Sequence, residues 1–194
     1  MSTLEVNKIT PVGVGTSVTL GDSGDTFTIP SGVTFTNNGT ASGFGGGKIG
    51  QVISSTYSTQ ATTTSSTFAD TGHQATITPT ATSSKILILL TYRFEASRPN
   101  NGGKDAGYGL RFLRGATTIL DYDRSGTGVF YSLRDNAVAQ DAREVNSITY
   151  LDSPSTTGAT VYKIQHNTYS AAGCTGKYAR DNDPCILTLM EVLA

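Results

Sequence analysis

Apolar side chains in this chain come in short alternating runs, each closed by a turn signal, and that rhythm limits what it can fold into. From residue 48 onward the runs fall at 51–57, 67–70, 73–78, 85–95, 109–113, 117–122, 128–133, 145–151, 159–167 and 185–193. Between them stand clusters such as Asp70-Thr71-Gly72, Asn100-Asn101-Gly102-Gly103 and Asp181-Asn182-Asp183-Pro184, whose residue types supply turn geometry. Eight to ten short strands over residues 48–194 predict an all-β fold, an antiparallel β-sandwich or jelly roll. The one helix-like stretch, 136–144, is too short to compete. Composition agrees, with 31 Thr, 19 Ser and 22 Gly. Thr is stiff at χ1 and suits a pleated surface, and Ser and Gly supply turns, so a helical bundle is excluded.

Two runs are unusually apolar. The first half of 85–95 (Ile86-Leu87-Ile88-Leu89-Leu90) is apolar on both faces and should lie centrally in a sheet. The run 185–193 carries Ile186, Leu187, Leu189, Met190, Val192 and Leu193, and would fray unless both of its faces were covered. Either it threads the middle of the sandwich, or one face packs on other subunits, or both. Ile186, Leu187, Leu189, Met190 and Val192 are therefore the candidate subunit interface.

Residues 1–47 have a different character. They hold few charges and too little apolar surface for a core, yet repeat an apolar–Thr–apolar unit: Val18-Thr19-Leu20, Phe27-Thr28-Ile29 and Val33-Thr34-Phe35, each followed by a turn. Short strands without a core need neighbouring chains to shelter one face, which predicts a fibrous segment. A flexible Gly/Ser/Thr linker is the alternative. Gly43-Phe44-Gly45-Gly46-Gly47 then forms a hinge, dividing the chain into 1–47 and 48–194.

Charge narrows the partners. Fourteen basic residues against fifteen acidic ones give no electrostatic footprint for nucleic acid. No apolar run reaches membrane-spanning length, and Met1-Ser2-Thr3-Leu4-Glu5 lacks the features of a secretory leader.

Chemical motifs fail on inspection. Gly21-Asp22-Ser23-Gly24 matches a protease nucleophile loop, but no His precedes it, so it reads as a turn. The Gly-rich 43–48 stretch lacks the first Gly and the final Ser or Thr of a phosphate loop. Asp121, Asp123 and Ser125 place oxygens at alternate positions as in a calcium loop, but position 132 is Ser rather than Glu; a hairpin end is the main reading and a surface cation the alternative. Cys174 and Cys185 bound an 11-residue interval that suits either a disulfide or two free thiols. Paired catalytic carboxylates in a cleft are not evident, so no enzyme and no cofactor is expected. Basic residues gather between 93 and 143 with interleaved aromatics, a composition that fits polysaccharide recognition or a plain solvated surface. The polar loops 100–107 and 170–184 are the candidate exposed contact surface, with Arg98, Asn100, Lys104, Tyr108, Lys177, Tyr178 and Arg180.

Residues 2–44, with Ser-Thr-Leu-Glu-Val-Asn-Lys-Ile-Thr-Pro, Val18–Thr26, Ile29–Val33 and Asn38–Phe44, resemble the N-terminal segment of tail-fibre and other virion structural proteins of tailed bacteriophages, notably those infecting cyanobacteria. Thr67–Gly72, Ala75–Pro79, Ser83–Ile88, Leu110–Gly115 and Leu187–Glu191 are similar to the globular part of that group. The resemblance implies a homotrimer with a tumour-necrosis-factor-like sandwich head, its last strand near the threefold axis. It also implies a virion component assembled in the host cytoplasm: a short fibre that attaches through residues 1–47 and contacts host surface polysaccharide through its head. Leu4, Val6, Ile9, Val18, Leu20, Phe27, Ile29, Val33 and Phe35 would then anchor it to other virion proteins. A head-decoration protein and a carbohydrate-binding module are the alternatives.

Overall fold

The computed structural model describes residues 22–26, 28–34, 36, 48–98, 106–123, 129–132, 140–168 and 173–193. The chain divides into two units, Met1–Phe44 and Gly45–Ala194.

In the first unit the turn signals at 22–25 and 30–33 act as turns; the third, 36–39, and the run 18–20 lie largely outside the described residues. The Asp25 amide donates to the Asp22 carbonyl (3.1 Å) and the Val33 amide to that of Pro30 (3.2 Å), with Gly24 and Gly32 at positive φ. Thr28, Ile29, Val33 and Thr34, expected in strands, are in none. This is a correction with a simple cause: among the described residues these three-residue runs have no strand to form a ladder with.

The second unit is a sandwich of two antiparallel sheets. Its strands are β1 (Ile49–Tyr57), β2 (Ala61–Thr63), β3 (Ala69–Ile77), β4 (Lys85–Arg98), β5 (Ala106–Arg114), β6 (Thr117–Tyr122), β7 (Phe130–Ser132), β8 (Gln140–Asp152), β9 (Thr160–Thr168), β10 (Thr175–Tyr178) and β11 (Cys185–Val192). Long β4 organises the first sheet. One edge of β4 pairs with β8 along its whole length. Its other edge pairs first with β11, which leads on to β1, and then with β10, which leads on to β2. The second sheet runs β3-β9-β5-β6, with β7 beside β6 on the same edge of β5. The orders β1-β11-β4-β8 and β3-β9-β5-β6 are those of a jelly roll.

Alternation of side chains builds the core between the sheets. Ile86, Ile88, Leu90, Tyr92 and Phe94 of β4 face Leu110 and Phe112 of β5 and Tyr162 and Ile164 of β9, all fully buried. Both very apolar runs sit inside the first sheet, β4 between β8 and β11, and β11 between β1 and β4.

Several expectations change. The runs 67–70 and 73–78 are one strand, because Gly72 at φ +91° forms a bulge where a turn was expected; a Cβ there would lie 2.6 Å from the Tyr57 hydroxyl. The described part of the helix-like stretch, 140–144, is strand, drawn into register with residues 94–98 of β4. The loop 170–184 contains β10, whose Thr-Gly-Lys-Tyr sequence has too little alternation to stand out. Cys174 and Cys185 are not joined in a disulfide, and both are buried. Thr175 pairs with Ser97 and Ile186 with Thr91, so the strands they open meet β4 six residues apart. That is about 20 Å at ~3.3 Å per residue, far beyond disulfide reach.

Candidate functional site

The outer face of the first sheet departs from the rule that a solvent face is polar. Along β11, Cys185, Leu187, Leu189 and Glu191 point inward and are buried, whereas Ile186, Thr188, Met190 and Val192 point out. Of the five candidate interface residues, Ile186, Met190 and Val192 therefore lie on the open face, and Leu187 and Leu189 belong to the core. Register extends the open set across four strands. Val52 pairs with Met190, Met190 with Leu87 and Leu87 with Leu151, a continuous apolar row from β1 to β8. Leu89 lies beside this row, and Ile49 pairs with Val192 at its end. Val52 is 52% exposed, Leu151 47% and Ile186 43%, values normal for a polar surface and costly for branched apolar side chains.

Toward the β10 end the same face becomes charged. Glu95 is nearly inaccessible (4% exposed), although it lies on the outer side of β4. Lys177 Nζ (2.5 Å), Arg180 Nε (3.1 Å) and Arg143 Nε (3.3 Å) converge on its carboxylate. Burial alone would raise its pKa; the Lys177 hydrogen bond and the nearby cations outweigh burial and lower it. Arg143 also holds Asp141 (2.7 Å), and Arg93 faces Asp183 at 3.5 Å. Arg93, Phe94, Arg143, Glu144, Val145, Arg180 and Asp183 line a recess of about 70 Å³ beside this cluster.

Between the sheets lies a second polar group. His73 Nε2 donates to the Ser55 carbonyl (3.1 Å), which leaves Nδ1 to accept from the Tyr178 hydroxyl (2.7 Å). The Tyr108 hydroxyl bonds His166 Nδ1 (3.0 Å). Tyr57 stacks on His73, and Tyr178 meets His166 edge-on. Burial lowers the His73 pKa and takes that of His166 down to about 4. Both imidazoles and the Tyr108 and Tyr178 rings are buried, and Tyr57 is partly so.

Other expected site residues fall elsewhere. Tyr108, Tyr178 and Arg98, assigned to exposed contact loops, are buried; this is a correction, because β5, β10 and the end of β4 turn them inward. Lys177 and Arg180 remain at the surface, committed to Glu95, and Asn100 and Lys104 lie outside the described residues. Asp123 accepts from Asn167 Nδ2 (2.8 Å), Asp121 is exposed on β6, and Ser125 is outside the described residues. No group of three or more metal-ligating side chains occurs among the described residues. Of the anchor candidates, Ile29 and Val33 are exposed (40% and 60%), and Leu4, Val6, Ile9, Val18, Leu20, Phe27 and Phe35 lie outside the described residues. Sequence reasoning missed Glu95 as a hub; a lone carboxylate closing the most apolar strand was the available signal.

No family model and no curated protein matches the chain. Among solved structures it is similar to infectious bursal disease virus of the Gt strain (TM-score 0.34, 13% identity, 75% of this chain and 39% of that one). It is also similar to a mutant VP2 protein of that virus from T=1 particles (0.31, 13%, 75% and 37%) and to the Gx strain (0.28, 14%, 74% and 38%). The chain spans under two fifths of the length of each. Likeness at this distance assigns neither family nor role.

Proposed function

We propose that the protein is a non-enzymatic structural component of a tailed-bacteriophage particle, a short trimeric tail fibre whose jelly-roll head assembles through the outer face of its first sheet. The observation that carries this reading is the apolar row Val52–Met190–Leu87–Leu151. Association with a second and third copy removes such a surface from water at about 25 cal/mol per Å². Identical copies suit it because the row is uncharged, so bringing two of them together creates no like-charge repulsion. The number three and the place on a phage particle rest on the sequence resemblance. In this reading residues 1–47 join the fibre to other virion proteins through interchain pairing of their apolar–Thr–apolar units. Two buried cysteines not joined to each other fit assembly in a reducing cytoplasm.

Replacing Leu87 and Met190 together by Glu tests the reading in the full chain. The expected result is a folded single-copy species that no longer enters particles. Unchanged copy number and normal incorporation would overturn it.

A further inference from the structure

We propose that the open edge of β8 is a docking site for residues 18–35 of a second copy, whose apolar–Thr–apolar runs add to it as an extra antiparallel strand. This rests on the fibre reading above and names a contact through which copies hold one another. A strand at the margin of a sheet leaves a row of backbone N–H and C=O groups unpaired, and folded proteins guard such margins with bulges, short strands, Pro or charge. Among the described residues the other marginal strands are guarded in this way. The ladder of β1 shifts register between Ile49 and Val52, that of β3 between Asp70 and Gln74, and that of β6 opposite Phe112 and Leu113. β2 and β7 have three residues each.

β8 lacks these devices. Its 13 residues pair with β4 without a register shift, and they include no Pro or Lys. Its charges, Asp141, Arg143, Glu144 and Asp152, lie toward the two ends and leave residues 145–151 uncharged. An uncharged stretch rich in β-branched and aromatic residues recruits another strand when its edge is open.

Three observations select the occupant. On the inward side, Ile148 and Tyr150 stand two residues apart and are only partly buried against the core, with no strand beyond them among the described residues. Ser147 and Thr149 alternate with them on the outward side and are exposed. An apolar–Thr–apolar run laid alongside therefore sets its two apolar side chains beside Ile148 and Tyr150 and its Thr beside Thr149, pairings that stabilise sheets. Second, Thr28, Ile29, Val33 and Thr34 are in no strand, and Ile29 and Val33 are exposed, so these runs are available to pair. Third, the apolar row of the outer face ends on β8 at Leu151, so the added strand adjoins the surface through which copies meet in that reading. Each copy gives one run and receives one, a head-to-tail contact that a threefold ring closes.

Co-expression of two full-length variants tests the contact. One carries Thr149→Cys; the other carries Thr19→Cys, Thr28→Cys or Thr34→Cys, and both keep the buried Cys174 and Cys185. Residues opposed across a ladder have Cβ atoms about 4.5–5.5 Å apart, close enough for mild oxidation to join them. A covalent dimer of unlike chains is expected with at least one of the three, and none when Thr76→Cys, exposed on β3, replaces Thr149→Cys. Amide exchange gives a second reading in the parent. Successive amides of residues 146–151 should all exchange slowly when both edges of β8 are paired, whereas an open edge leaves every second one fast. A Thr149→Cys chain that joins only to itself would mean that β8 pairs with a second β8, which overturns the occupant. Equal yields with Thr76→Cys, or fast exchange at alternate amides, overturn the contact. A trimer with neither cross-link nor protection sinks the strand addition alone, whereas a single-copy parent sinks the fibre reading and the contact with it.

Discussion

Buried histidines are where single residues most clearly govern this fold. His166 is desolvated, so its folded pKa is about 4 against 6.5 for a free imidazole. The unfolded chain takes up its proton near pH 6.5 and the folded one only near 4, so protons favour the unfolded state across that window. Full stability is present above about pH 6.5 and falls as the pH drops toward 4, by about 3 kcal/mol from His166 alone. The lowered His73 pKa acts in the same direction. Urea midpoints measured at fixed protein concentration from pH 7.5 to 4 should trace this fall, and His166→Phe should flatten it. A flat profile in the parent would contradict the buried, neutral assignment. Glu191 extends the acid sensitivity lower. Burial resists its ionisation, but donation from Gln51 Nε2 (2.8 Å) and from the Thr80 amide (2.6 Å) and hydroxyl (2.7 Å) brings its pKa to about 2. Its contribution is present above pH 4.5 and lost below it.

Strands were legible in the sequence wherever alternation was strong. β6 is legible to the residue, and β1, β4, β9 and β11 to within a few residues, because each is a run of apolar and β-branched residues bounded by turn signals, uninterrupted in the case of Ile86–Leu90 of β4. β2 and β10 were not legible, since runs of three and four residues carry too few alternations and form only by pairing with each other and with β4. The site was half legible. β11 stood out as too apolar for a terminal strand, but which of its side chains faced the core depended on register with β1 and β4, which no local pattern supplies. Glu95, Arg143 and Arg180 meet only because β8 and the turn before β11 flank β4, a pairing set by topology. Within β11 the two faces make opposite predictions. Leu187→Ala should cost the fold roughly 2–5 kcal/mol in denaturant, as cavities in packed cores do. Met190→Ser should leave the unfolding slope unchanged and instead raise the concentration at which copies separate. Equal effects of the two on folding would mean that the outward assignment of Met190 is wrong.

For the whole molecule, a jelly roll with both sheets antiparallel would ordinarily keep its outer faces polar and remain single. Here one face gathers three cations on Glu95 at its β10 end and carries the apolar row Val52–Met190–Leu87–Leu151 toward the other, with Thr and Ser such as Thr91, Ser147 and Thr188 between. In the proposed function, assembly uses the apolar row Val52–Met190–Leu87–Leu151. Light scattering of the purified full-length chain tests the central claim most directly. A mass three times the 20.3 kDa of one chain is the result expected if the outer face of the first sheet joins copies. A mass of one chain, held at concentrations well above micromolar, would contradict it.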